Sequence, residues 1–273
     1  MQSTFQNSKV RKMSSAETPV LSIRNLTIEL PLGGDRAFAV ENVSIEIPPR
    51  KTVCIVGESG SGKSITSFAT MGLLPKILKP TEGQIWFGER DLLSTSEKER
   101  SGLRGDRMAM IFQEPMTALN PCFTIGNQID EVFFSHRKVS RQEAKLSTLD
   151  LLNEVKLPET ERLYDCYPHQ LSGGQRQRVM IAMALALDPM LLIADEPTTA
   201  LDVTTQAQIL KLIRQLRDRH DAGVMFVTHD FDVVAEIADQ VVVMKQGRIV
   251  EKGEANMILT HPQHPYTKAL INA

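Results

Sequence analysis

Apolar and polar residues along this chain follow two rhythms that alternate through most of its length. Val43, Ile45 and Ile47 alternate with Ser44 and Glu46, a period of two that predicts a half-buried strand. Thr52-Val53-Cys54-Ile55-Val56 is almost unbroken, the pattern of a strand covered on both faces. Gln84-Ile85-Trp86-Phe87 and the run from Met108 to Phe112 predict further short strands. Between about Pro115 and Leu187 the pattern is mainly helical, with Leu149, Leu152 and Val155 spaced for one helix face. After Asp188-Pro189 the alternation returns: Leu191 to Ala194 as a strand, then Ile209, Leu212, Ile213 and Leu216 as an amphipathic stripe. Val224 to Val227 and Val241 to Met244 are two more buried strands. Strands alternating with amphipathic helices predict an α/β core around a parallel sheet, interrupted by an inserted helical block. Each motif occurs once, without internal repeat.

Bulk properties narrow the picture. The 273 residues are 42% hydrophobic and 23% charged, ordinary for a folded domain. A net charge of -2 gives no support for nucleic acid as a partner. Cys54, Cys122 and Cys166 are widely spaced and lack a C-x-x-C pair, so they read as buried free thiols in a reducing cytosol. No apolar run approaches the roughly 18–20 residues that span a bilayer. The longest candidate, Val179 to Leu187, reads as a buried helix, so any membrane crossing must come from another protein. Residues 1–19 are polar and Ser-rich, without the apolar centre of a signal peptide, and read as a disordered tail.

Three segments carry chemistry. Gly57-Glu58-Ser59-Gly60-Ser61-Gly62-Lys63-Ser64 fits the phosphate-loop pattern, with a strand before it and a helix after. Polyphosphate needs many donors in a small space; glycines let backbone N–H groups wrap it, and the following helix presents its positive end. Asp195 and Glu196 end a buried strand, where open parallel sheets bind ligands. Ser172-Gly173-Gly174 opens another helix and makes a second anion-ready terminus. One nucleotide in one fold has little use for both, so the economical assignment is to two copies. His229, after the strand ending at Thr228, can donate to a phosphate, and Gln113 follows Met110-Ile111-Phe112 in a similar place.

The phosphate loop, Leu171-Ser172-Gly173-Gly174-Gln175 and Leu191-Leu192-Ile193-Ala194-Asp195-Glu196-Pro197, in this order, resemble the ATP-binding subunits of ATP-binding cassette (ABC) transporters. The resemblance implies a P-loop NTPase (RecA-like) α/β core with an antiparallel β subdomain and an inserted helical subdomain. On that reading residues 20–250 form the ATP-binding domain, residues 116–187 its helical subdomain, and residues 251–273 an extension. It implies ATP and Mg²⁺ as ligands, with Ser64, Gln113 and Asp195 on the metal and Glu196 as general base, assisted by His229 and Gln113. Gly57 to Ser64, Ile65 and Gln113 would bind nucleotide from one subunit. Ser172, Gly173, Gly174 and Gln175 would close on it from a second, identical or paired, and Asp202 matches the loop connecting the two sites.

Two stretches narrow the likeness to the peptide/nickel importer subfamily: Gln113-Glu114-Pro115-Met116-Thr117-Ala118-Leu119-Asn120-Pro121 and His261-Pro262-Gln263-His264-Pro265-Tyr266-Thr267-Lys268-Ala269-Leu270. This implies a peripheral subunit on the cytoplasmic face of the inner membrane, importing a peptide-like solute. Its partners would be transmembrane permease subunits and, indirectly, a solute-binding protein. The alternative is an accessory ABC ATPase in a soluble complex, such as those of phosphonate breakdown. The chain departs from the family in three ways. Leu30 stands where an adenine-stacking aromatic is usual, with Phe38 as the substitute; Thr199 replaces a serine; and the sequence stops at Ala273, so it reads as a short member or half of a fused pair.

Overall fold

The structure is a computed structural model and describes residues 18–31, 36–199 and 201–272. The expected tail lies almost wholly outside the described residues, as does Ala200 beside Thr199. The chain begins with strands β1 (Leu21–Glu29), β2 (Phe38–Ile47) and β3 (Thr52–Val56), then helix α1 (Lys63–Met71), and strands β4 (Pro80–Phe87) and β5 (Arg90–Asp91). Helix α2 (Glu97–Leu103) and strand β6 (Met108–Ile111) lead into the helical block. This holds α3 (Pro115–Ala118), α4 (Ile125–His136), α5 (Arg141–Glu154), α6 (Thr160–Tyr164) and α7 (Gly173–Leu185). Strand–helix alternation then resumes through β7 (Leu191–Asp195), α8 (Val203–His220), β8 (Gly223–Thr228), α9 (Phe231–Ile237), β9 (Gln240–Lys245) and β10 (Arg248–Glu254). Two short helices, α10 (Ala255–Thr260) and α11 (Pro265–Ile271), complete it.

Two sheets result. β2-β1-β4-β5 is antiparallel, and β10-β9-β3-β8-β7-β6 is parallel except at the β10–β9 pair. Side chains on a strand alternate between faces, so the wholly buried central strands serve two cores at once. Val53, Ile55, Leu191, Ile193, Met225 and Val227 face the antiparallel sheet and join Leu21, Ile23, Val43 and Ile45. Cys54, Val56, Leu192, Ala194, Val224 and Phe226 face the other way, onto the helical block and α8. Each such side chain contributes about 1.5–3 kcal/mol through burial, which explains why these runs carry no polar interruption.

The stripe Ile209, Leu212, Ile213, Leu216 is buried on α8 as expected. On α5 the expectation is corrected. Ala144, Thr148 and Leu152 form the buried face, and Val155, the residue that caps the helix, is buried as expected, but Leu149 is only half-buried. The cysteine expectation is also corrected. Only Cys54 is buried; Cys122 is exposed in the polar turn before α4, and Cys166 is half-buried. Among the described residues no helix is long and apolar enough to cross a membrane.

Candidate functional site

The phosphate loop lies between β3 and α1, both anchored in the parallel-sheet core. Gly57 has φ of 152°, and a Cβ there would stand 2.2 Å from the Met244 carbonyl oxygen, so no side chain fits. Lys63 Nζ donates to the carbonyl oxygens of Gly57 (2.6 Å) and Glu58 (2.9 Å), folding the side chain back beneath the loop. Burial lowers the Lys63 pKa, while Glu196, Asp195 and Glu58 act against the shift. The Ser61 hydroxyl is buried with no hydrogen-bond partner. An unpaired donor beside a buried ammonium fits a phosphate ligand.

Opposite the loop, at the end of β7, Asp195 Oδ1 accepts a hydrogen bond from Ser64 Oγ at 3.0 Å. Burial raises the Asp195 pKa and the neighbouring Glu196 adds to the shift, with the Ser64 bond and Lys63 opposing. A hydroxyl and a carboxylate side by side are the oxygen donors Mg²⁺ takes. Glu196 is the first residue beyond the strand and has a left-handed backbone, φ 46°. Its N–H donates to the Val227 carbonyl oxygen at 2.9 Å. Its carboxylate accepts from Gln113 Nε2 (3.2 Å) and Thr199 Oγ1 (3.0 Å), and His229 Nδ1 lies 3.2 Å away. Three strand ends of the parallel sheet, β6, β7 and β8, thereby converge on one carboxylate.

Gly57 to Ile65, Gln113, Glu196 and His229 line one cleft of about 720 Å³, within the usual range for a small-molecule site. Arg36 and Ile271, which sequence patterns do not single out, line it too, as does Leu270 at the end of the His-Pro-Tyr stretch. Arg36 Nη2 donates to the Gly60 carbonyl oxygen at 2.7 Å. Neither Leu30 nor Phe38 lines this cleft; Leu30 packs against the antiparallel-sheet core. Thr199 now has a structural reason: its hydroxyl orients Glu196, a job serine would also do.

Ser172, Gly173, Gly174, Gln175 and Asp202 lie away from the cleft. Ser172 caps α7 in a reciprocal box: its Oγ accepts from the Gln175 N–H at 3.3 Å and its own N–H donates to Gln175 Oε1 at 2.9 Å. Ser172 and Gly173 are exposed. Gly174 packs tightly, since a Cβ there would lie 2.9 Å from Thr205 Cγ2. Asp202 caps α8 through the Thr205 N–H (3.0 Å) and Oγ1 (2.7 Å), and these bonds hold its pKa low. The two glycine-led helix starts do not meet within the chain.

Comparison with known proteins identifies a family. The family model described as "ABC transporter" matches residues 40–199. The dipeptide transport ATP-binding protein DppD of Bacillus subtilis is 48% identical over 93% of this chain and 76% of its own length. The peptidoglycan transport ATP-binding protein YejF of Agrobacterium fabrum is 49% identical over 93% of this chain. This chain spans about half of that relative's length, 47%. Among solved structures, the ATP-binding cassette MJ0796, dimeric and bound to ADP and Pi after hydrolysis, superposes with a TM-score of 0.77 at 32% identity. That match covers 86% of this chain and 98% of the other.

Proposed function

Because the chain belongs to the ABC transporter family, in which it is an ATP-binding member, we propose that it hydrolyses ATP to drive uptake of a peptide-like solute through a separate permease. The observation that carries this reading is the convergence of Lys63, Ser64, Glu196 and His229 on one cleft, with buried Asp195 hydrogen-bonded to Ser64 behind it. The solute class is supported by the likeness to a dipeptide transport ATP-binding protein.

In this mechanism the loop's backbone and Lys63 bind the triphosphate, while Ser64 and Asp195, with Gln113, would hold Mg²⁺. The metal, when bound, neutralises charge building on the phosphates. Glu196 then takes a proton from the attacking water on its carboxylate. The bonds from Gln113 and Thr199 hold that carboxylate in one orientation, and His229 follows its charge from 3.2 Å. General-base action of this kind supplies on the order of 10²–10⁴ in rate, and positioning supplies much of the rest.

The pocket becomes complete when a second subunit, identical or closely paired, brings its Ser172 and Gly174 to the nucleotide. Asp202 then sits at the seam between the sites. The protein works as a peripheral subunit on the cytoplasmic face of the inner membrane. Permease subunits seat near Gln113 to Leu119, and a solute-binding protein feeds the complex from outside.

Affinity purification from solubilised membranes, with ATPase assay of the product, tests the reading. The expected result is a partner with several membrane spans and Mg²⁺-dependent hydrolysis stimulated by solute. Recovery with soluble enzymes alone would overturn the transport role and favour the accessory ATPase.

A further inference from the structure

The sequence motif least accounted for by nucleotide chemistry is His264-Pro265-Tyr266, yet it ends at the phosphate loop. Tyr266 is buried, and its hydroxyl oxygen accepts a hydrogen bond from the Glu58 N–H at 3.1 Å. That N–H belongs to the same peptide group as the Gly57 carbonyl, which receives Lys63 Nζ at 2.6 Å on its other side. In a trans peptide the C=O and N–H point in opposite directions and turn together. Fixing one therefore aims the other. Gly57 has no Cβ to resist rotation, so without the tyrosine this peptide group is held from its carbonyl side alone, by Lys63.

The tyrosine is itself held from several directions. Glu251 Oε1 accepts from the Gln263 N–H (2.7 Å) and Oε2 from the His264 N–H (3.1 Å). His264 Nδ1 accepts from the Tyr266 N–H at 3.1 Å, and Pro265 occupies the first turn of α11, where its missing donor costs nothing. Lys245 Nζ sits 4.5 Å from the centre of the Tyr266 ring. Lys245 follows Met244, whose carbonyl backs Gly57, so both supports of the peptide rest on the end of β9. Leu270 and Ile271, one turn further along α11, form part of the cleft wall.

We propose that Tyr266 is a positioning residue for nucleotide binding: through the Gly57–Glu58 peptide it sets where Lys63 waits for phosphate. This deepens the ATP-binding reading and rests on it. Tyr266→Phe keeps the ring and removes the acceptor. Losing one hydrogen bond of this kind is expected to weaken Mg-ADP binding roughly three- to ten-fold. The KM for ATP should rise alongside, while kcat at saturation changes little, because Glu196 and its partners are untouched.

The nucleotide-free protein gives an independent readout. Amide hydrogen exchange at residues 57–62 should speed up in Tyr266→Phe while exchange in α8 stays unchanged. Glu251→Ala, which frees the Gln263 and His264 N–H groups, should reproduce the weaker binding to a smaller degree. A Tyr266→Phe protein with wild-type Mg-ADP affinity and wild-type loop exchange would overturn the proposal. Failure of the wild-type chain to bind Mg-ADP would instead sink the nucleotide reading, and this inference with it.

Discussion

Two helices of this protein start with glycines, and they differ in nearly everything else. At α1 the cap is Gly62 in a left-handed conformation with no side-chain bond, and the first residue, Lys63, is buried. At α7 the cap is Ser172, and Gln175 answers it in a reciprocal pair of bonds. The first terminus leaves its donors unspent and surrounds them with charged groups from other strands. The second satisfies part of its own need and faces outward. On the proposed reading, an anion site made within one chain must hold charge in reserve, whereas one that serves another molecule's ligand must also be stable while alone.

The sharpest test of that difference pairs two substitutions. Lys63→Ala should weaken Mg-ATP binding by roughly 100-fold or more, since it removes a charged donor from a buried site. Ser172→Arg should leave Mg-ADP affinity of the isolated chain unchanged while abolishing both ATP-dependent dimerisation and hydrolysis. Equilibrium binding and size-exclusion chromatography with light scattering separate the two outcomes; equal loss of affinity in both variants would erase the distinction. Next in size, Glu196→Gln should lower turnover by on the order of 10²–10³ while retaining ATP and stabilising the dimer. Near-normal hydrolysis would remove Glu196 from the base role.

A subtler effect concerns charge held in reserve at the first terminus. Burial raises the Asp195 pKa, so ionised Asp195 is less comfortable in the folded chain than in the unfolded one. Its stabilising contribution is present below the ordinary carboxylate range and is lost as pH rises through the raised value. Asp195→Asn should therefore raise the melting temperature of the nucleotide-free protein at neutral pH, with the gain shrinking as pH falls. The same variant should lose Mg²⁺-dependent nucleotide binding. A melting curve unchanged at every pH would show that no such cost exists.

The smallest effect lies at the second terminus. Gly174→Ala would press a methyl group against Thr205 and destabilise by about 1 kcal/mol, the low end for overpacking. Thr205→Ser removes the offending methyl, keeps the bond to Asp202, and should restore the melting temperature. Failure of the rescue would mean the glycine answers to something other than Thr205.

What the sequence made readable followed from locality. β3, β7 and β8 stood out because a strand buried on both faces keeps polar residues to its ends, and the phosphate loop because its glycines and lysine fall within one short stretch. Ser172 to Gln175 carried its capping signature in four residues. The errors fell where neighbours in space are remote in sequence. Leu149 has helical spacing but lies on the flank of α5, whose inward face is made by Ala144, Thr148 and Leu152. Cys122 is exposed because the turn it occupies faces solvent, which residue type alone does not announce. The bond between Glu58 and Tyr266 joins residues 208 positions apart, and no periodicity records it.

The left-handed backbone at Glu196 has an implication for the protein's history. A branched-free but bulky side chain in that conformation costs on the order of 1 kcal/mol, which glycine or asparagine would recover. Selection for robustness alone would thus drift this position toward residues that cannot reach water with a carboxylate. The acid stands against the preference of its own main chain, and laboratory evolution toward heat tolerance, run without nucleotide turnover as a filter, should discard it early.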